Sequence, residues 1–153
     1  MDDDLSRFLD AQSGVYERAL HELRDGRKRS HWIWFVFPQL RGLGRSDMSR
    51  RYGIAGLDEA RAYLRHPALG PRLAECTQVM LAHAGTPLGA ILGFPDDLKF
   101  RSCMTLFDAA GGPKALFECA LQAFGGGEPD AATLRLLGRD PRTEPTRLQN
   151  DLE

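Results

Sequence analysis

Cysteine is scarce in this chain and has no pairing pattern. Cys76, Cys103 and Cys119 are the three present. An odd count without a Cys-x-x-Cys pair argues against a disulfide framework or a zinc ribbon. It favours a reducing compartment in which the thiols behave as small core residues. Long apolar runs are missing too. The longest, Trp32 to Pro38, falls far short of the roughly 20 residues that cross a bilayer. The opening MDDDLSRF carries acids where a secretory signal has a basic region followed by apolar residues, so a soluble, cytoplasmic protein is expected. His21, His31, His66 and His83 show no His-x-x-x-His or His-carboxylate spacing, and no Gly-x-Ser-x-Gly elbow or dinucleotide fingerprint occurs. No metal, no cofactor and no serine-hydrolase chemistry are therefore expected.

Charge of one sign is lacking overall: the formal net charge is -1. With no module motif for nucleic acid, a nucleic-acid partner is disfavoured. The charge is nevertheless unevenly placed. Residues 24–51 hold eight bases against Asp25 and Asp47, whereas residues 1–23 hold six acids against two bases. A basic block on a near-neutral chain points to a small anionic ligand, or to a solvated face paired with the acidic first helix.

The remainder reads as an ordinary globular domain. Apolar residues make up 42% of the 153 and charged residues 27%, enough for one domain to bury a real core. Leu5, Phe8, Leu9, Gln12, Val15, Tyr16, Ala19, Leu20 and Leu23 recur at three-and-four spacing, which predicts one amphipathic helix from Leu5 to Leu23, stopped at Gly26. In SHWIWFVFPQL the apolar residues lie all round. Periodicity alone does not separate strand from helix there, and the lack of a second strand candidate favours a buried helix over Trp32–Phe37, ended by Pro38. A short helix over Asp47–Tyr52 closes at Gly53, and another over Leu57–Arg65 breaks at His66-Pro67. Further helices follow: one from Leu69 stopped by Gly85, one capped by Thr86-Pro87 and ending at Gly93, one opened by Phe94-Pro95-Asp96, one started by Pro113, and one capped by Asp130. The expectation is an all-α, compact multihelical domain over 1–138. Residues 139–153, with Pro141 and Pro145 and few apolar side chains, are expected to be a flexible tail.

The polar groups inside apolar runs are the informative ones. His31, Gln39, Lys99 and Ser102 stand beside Trp32, Trp34, Phe35, Phe37, Phe100, Met104 and Phe107. An aromatic-walled cavity with a few convergent polar groups is the usual form of a small-molecule site. Trp32, Trp34 or Phe35 would stack a ring. Lys99, His31 or Asp96 would supply acid-base catalysis. Gln39, Ser102 and Thr105 would orient the ligand, and Gly44 with Arg45 in the Gly42-Leu43-Gly44-Arg45-Ser46 stretch would meet an anion. Each has a plainer reading. His31 serves equally as a cap, Gln39 as a tie to loop backbone, the glycine stretch as a turn, and Asp96 as a helix-dipole acid. Cys103, on a helix between Ser102 and Met104, reads as buried rather than nucleophilic.

Taken together, FLDAQ (8–12), YERALHEL (16–23), GRKRSHWIWFVFPQLRGLG (26–44), YGI (52–54), AYLRHPALGPRL (62–73), FPDDLK (94–99) and SCMTLF (102–107) resemble the DUF1810 family, in order and across about residues 5–138. The resemblance implies a multihelical fold and names no activity. Cys103 stands where the family more often shows a second serine, which leaves Ser102 and Thr105 as the hydroxyls. Some members carry the label calpastatin, but calpain inhibitors of that name are disordered repeats, whereas this sequence forms a core. An aromatic element with a nearby glutamine and a later lysine-bearing helix also resembles, loosely, the NADAR superfamily, which is linked to ADP-ribose and N-glycosidic bonds. That likeness is one of fold and carries over no residue role. Two functional expectations follow. One is a site for a nucleotide-like or sugar-phosphate (ADP-ribose-type) ligand, extending to hydrolysis of an N-glycosidic bond. The other is a non-enzymatic interaction domain whose basic face meets an acidic partner.

Overall fold

In the computed structural model, residues 5–138 are described; the tail expected over 139–153 lies outside them. The periodic stripe of the first 24 residues folds as two helices rather than one: α1 (Ser6–Gln12) and α2 (Tyr16–Arg24). The break falls at Gly14, whose φ of +76° is a left-handed conformation open to glycine at little cost. The turn is tight, with the Val15 N–H donating to Gln12 O at 3.0 Å, so both helices keep the same face inward and the apolar spacing runs on across the break. What the break achieves is the placement of Gln12. Its buried amide donates to Phe35 O at 2.7 Å and accepts from Arg72 Nη1 at 3.1 Å.

The aromatic run forms a single buried turn of helix, α3 (Ile33–Val36), packed against α1. It is shorter than the expected Trp32–Phe37 because Phe37 leaves helical geometry one residue before Pro38. Beyond the proline, Leu40 pairs with Ile54 in an isolated parallel bridge. No strand occurs among the described residues, and the fold is all-α.

The next two helices, α4 (Asp47–Tyr52) and α5 (Leu57–Arg65), lie where the sequence places them. Ser46 caps α4 by accepting from the Ser49 N–H at 3.1 Å. Then come α6 (Leu69–Leu81), α7 (Leu88–Leu92) and the long α8 (Asp96–Ala109). Pro113 opens a short 3₁₀ turn, Pro113–Ala115, before α9 (Leu116–Gly125), and α10 (Ala131–Leu136) closes the order. Asp130 caps α10, accepting from the Thr133 N–H at 2.9 Å. No helix among the described residues is long and apolar enough to cross a membrane.

One core unites these elements. Trp32, Tyr63, Phe8, Phe37, Phe100, Phe107 and Phe117 are its largest fully buried side chains, joined by edge-to-face and tilted ring contacts such as Phe37–Phe100 at 4.9 Å. Cys76 and Cys103 lie within it, whereas Cys119 is exposed, so the expectation of three core thiols holds for two. At the α5–α6 corner backbone comes close to backbone. A Cβ added at Gly70 would lie 2.1 Å from Leu64 O. Glycine to alanine inside a helix ordinarily stabilises by about 1 kcal/mol. Here the sign reverses, because a backbone carbonyl has nowhere to retreat. Gly70→Ala is expected to cost about 1–3 kcal/mol in urea unfolding, and a gain in stability would refute the contact.

Candidate functional site

The residue that organises the aromatic segment is a carboxylate. Glu22, on α2, is buried. Its Oε1 accepts from the Arg29 N–H at 2.8 Å, the Ser30 N–H at 3.1 Å and Trp32 Nε1 at 2.8 Å. Its Oε2 accepts from Ser30 Oγ at 2.7 Å. Burial by itself raises the carboxyl pKa, but these donors outweigh it and hold the group down at about 2. The loop 29–32 is thereby tied to α2, which fixes where Lys28 and Trp34 stand on either side of it.

Lys28 is anchored through its own backbone as well, its N–H donating to Ile91 O at 2.7 Å. Its side chain runs inward, with only 8% of its surface exposed, and its Nζ meets Asp96 Oδ2 at 2.7 Å. Lys99, one helical turn beyond Asp96 on α8, brings Nζ to 3.5 Å from Asp96 Oδ1. The same ammonium lies 4.6 Å from the centroid of the Trp34 ring, and Lys28 Nζ lies 5.1 Å from that of Trp32. One carboxylate thus stands between two ammonium groups, each over a tryptophan face. Asp96 and Lys99 keep 19% and 16% of their side-chain surface in solvent, and Trp34 is half-buried. The cluster carries one net positive charge and can be reached from outside.

Gln39 sits on the segment leaving α3, two residues past Phe37, whose ring packs against Phe100 next to Lys99. The residue is 8% exposed. Among the described residues no buried side-chain nitrogen or oxygen lacks a hydrogen-bond partner, so an amide that bonds to none of them presents its polar atoms to solvent.

The remaining candidates fall elsewhere or serve the fold. Trp32 is fully buried with its indole N–H on Glu22. Phe35 is buried with its ring 5.4 Å from Tyr52. Neither has a face to offer a ligand, which leaves Trp34 as the reachable ring of the three. Ser102 is buried and donates to Leu98 O at 3.1 Å. Thr105 donates to Arg101 O at 2.9 Å and accepts the Asp130 N–H at 2.8 Å, joining α8 to the start of α10. Gly44 packs closely on Ser49, whose Cβ would lie 3.1 Å from an added methyl. Arg45 and His31 are exposed and make no side-chain bond to the described residues. Burial pushes the Cys103 thiol well above its ordinary pKa, as its sequence surroundings suggest. Lys28 and Glu22 were missed by sequence reasoning. Lys28 reads as one of many bases in the block. Glu22 sits three residues past Ala19 at the edge of the α2 apolar stripe, and that position was the available signal.

A separate open concavity of about 440 Å³ lies between α2 and α6, lined by Arg24, Glu75, Gln78, Val79, Ala82 and His83. None of the sequence-derived candidates lines it. Among the described residues, no group of three or more His, Cys, Asp or Glu side chains is placed to hold a metal ion.

Residues 2–137 match the family described as "Protein of unknown function (DUF1810)". Among solved structures, the chain is similar to the conserved hypothetical protein Rv1873 from Mycobacterium tuberculosis, at 52% identity and a TM-score of 0.86, covering 88% of this chain and 96% of that one. No curated protein matches. Neither match is to the NADAR superfamily.

Proposed function

Because the chain belongs to the DUF1810 family, whose description assigns no function, its activity has to be read from its own side chains, and we propose that the Lys28–Asp96–Lys99 cluster with Trp34 and Gln39 binds a small anionic molecule of the nucleotide or sugar-phosphate (ADP-ribose) kind. The observation that carries this reading is Lys99 itself. Its ammonium is largely buried over an aromatic face and has one carboxylate partner at 3.5 Å, beyond good hydrogen-bonding distance for a charge-assisted pair. Two or three of its donor directions are left for an anion. Arg27, exposed and without a side-chain partner among the described residues, stands next to Lys28 and adds to the positive field. Gln39 supplies an amide for a hydroxyl or carbonyl of the ligand. Cleavage of an N-glycosidic bond is the reaction class such a site would serve, with Lys99 or Asp96 as the proton-transferring group.

Thermal unfolding with ADP-ribose, nucleotides and sugar phosphates tests the binding. A ligand at about 100 times its Kd should stabilise by about 2.7 kcal/mol, roughly 5–10 °C for a domain of this size. Lys99→Ala should abolish that shift while the free variant melts close to the wild type. Severe destabilisation of the free variant would instead make Lys99 a structural ion-pair member. Chromatographic detection of a released base or free sugar reads the hydrolytic step. The second reading, an interaction domain, rests on the partnerless exposed guanidinia of Arg27, Arg41 and Arg45. It predicts no shift with any of these small molecules and a salt-sensitive complex with an acidic protein.

A further inference from the structure

Phe94 is 80% exposed, the most exposed large apolar side chain among the described residues. A single exposed phenylalanine is ordinary; its setting here is not. Its backbone is clamped from both sides. The Gly93 N–H donates to Gly89 O at 2.9 Å, closing α7, and the Asp97 N–H donates to Gly93 O at 2.9 Å, opening α8. The Leu98 N–H adds a bond to Pro95 O at 3.0 Å. The ring is thus borne in water by a pinned turn between two helices rather than by a loop tip. Leu98, on the first turn of α8, is exposed as well, at 52%. Two residues beyond Phe94 comes Asp96, the carboxylate held between Lys28 and Lys99.

Exposed apolar surface and a cationic cluster are therefore brought to the same end of α8. Charge suits an anion. A wet aromatic ring suits the π-face of a nucleobase, which stacks with little regard to its hydrogen-bonding edge. We propose that Phe94 is the specificity-determining residue of the site, acting as a stacking surface that selects base-bearing nucleotides over base-free sugar phosphates. This inference rests on the anion-site reading above and narrows its ligand class. Lys28 and Lys99 hold the phosphate, and Phe94 carries the discrimination.

The test uses the full chain and two probes that differ in the base alone, AMP and ribose 5-phosphate, with Kd measured by calorimetry. Phe94→Ala leaves an already exposed position, so the free variant should melt with the wild type. It is expected to weaken AMP roughly tenfold and ribose 5-phosphate by less than twofold, with Phe94→Trp restoring AMP affinity. Lys99→Ala should weaken both probes. Equal effects of Phe94→Ala on the two probes, or none on either, overturn the role of Phe94 while leaving the anion site standing. Failure of the wild type to bind either probe overturns the anion site, and the role of Phe94 with it.

Discussion

Replacing Glu22 by alanine is expected to lower stability by about 3–5 kcal/mol and the melting temperature by roughly 10 °C. Four donors converge on this carboxylate: two backbone N–H groups, the Ser30 hydroxyl and the Trp32 indole. A buried donor left without an acceptor costs about 1–3 kcal/mol, and water entering the space recovers only part of four such losses. The same group makes the fold acid-sensitive. Its pKa is held at about 2, below the 4.5 of an unperturbed carboxyl. A depressed carboxylate contributes stability that is fully present above the unfolded pKa and lost as the pH falls through the folded one. The window is thus from about pH 4.5 down to 2, and the shift corresponds to roughly 3 kcal/mol. Urea unfolding at pH 7, 4 and 3 should show this slope in the wild type and its loss in Glu22→Gln. An unchanged slope in that variant would place the acid sensitivity in some other carboxylate.

Glu59→Ala should be about as damaging, at roughly 3–5 kcal/mol. Glu59 is buried and accepts from Arg7 Nη2 at 3.0 Å and Nη1 at 3.3 Å, a two-pronged pair, and from the Ala55 N–H at 2.8 Å. Arg7 has only 10% of its side-chain surface exposed, so removing the carboxylate leaves a guanidinium that water reaches poorly. Its Nε still donates to Arg51 O and its Nη2 to Gly53 O. Both of these acceptors are backbone carbonyls. Combining Arg7→Ala with Glu59→Ala should therefore cost clearly less than the sum of the two, by 1 kcal/mol or more in a double-mutant cycle. Additive effects would show that the pair is not coupled.

Much of the fold was legible because its boundaries are written in local chemistry. Ser46 and Gly53 bracket α4, His66-Pro67 ends α5, and Asp130 caps α10, each by a mechanism contained within a few residues. Where the outcome differs from the expectation, the deciding contact is distant or the pattern ambiguous. The turn at Gly14 keeps the α1 and α2 faces in phase, so spacing alone reads them as one helix. The Trp32–Phe37 run is apolar all round and does not reveal where its helix stops.

The candidate site was legible only in part. Lys99, Trp34 and Gln39 stood out as polar or aromatic residues within apolar runs and Asp96 as an acid at a helix start; Lys99, Asp96 and Trp34 meet. Lys28 did not stand out, because a basic block does not show which of its members turns inward. Glu22 and Glu59 were hidden by the general expectation that acids lie in water.

The Lys28–Asp96 contact also bears on the order in which the chain gains its properties. The two residues are separated by five intervening helices, and the hydrogen bonds from Arg72 to Gln12 and from Tyr16 to Glu75 span comparable stretches. Closing such loops costs chain entropy before any contact repays it. During synthesis, a chain that has emerged only through α6 already contains Trp34, Lys28 and Gln39 but has no Asp96 or Lys99 to set against them. The Lys28–Asp96–Lys99 cluster is therefore complete only with the arrival of α8, and the anion site proposed on it would belong to a chain that includes that helix rather than to any shorter N-terminal portion.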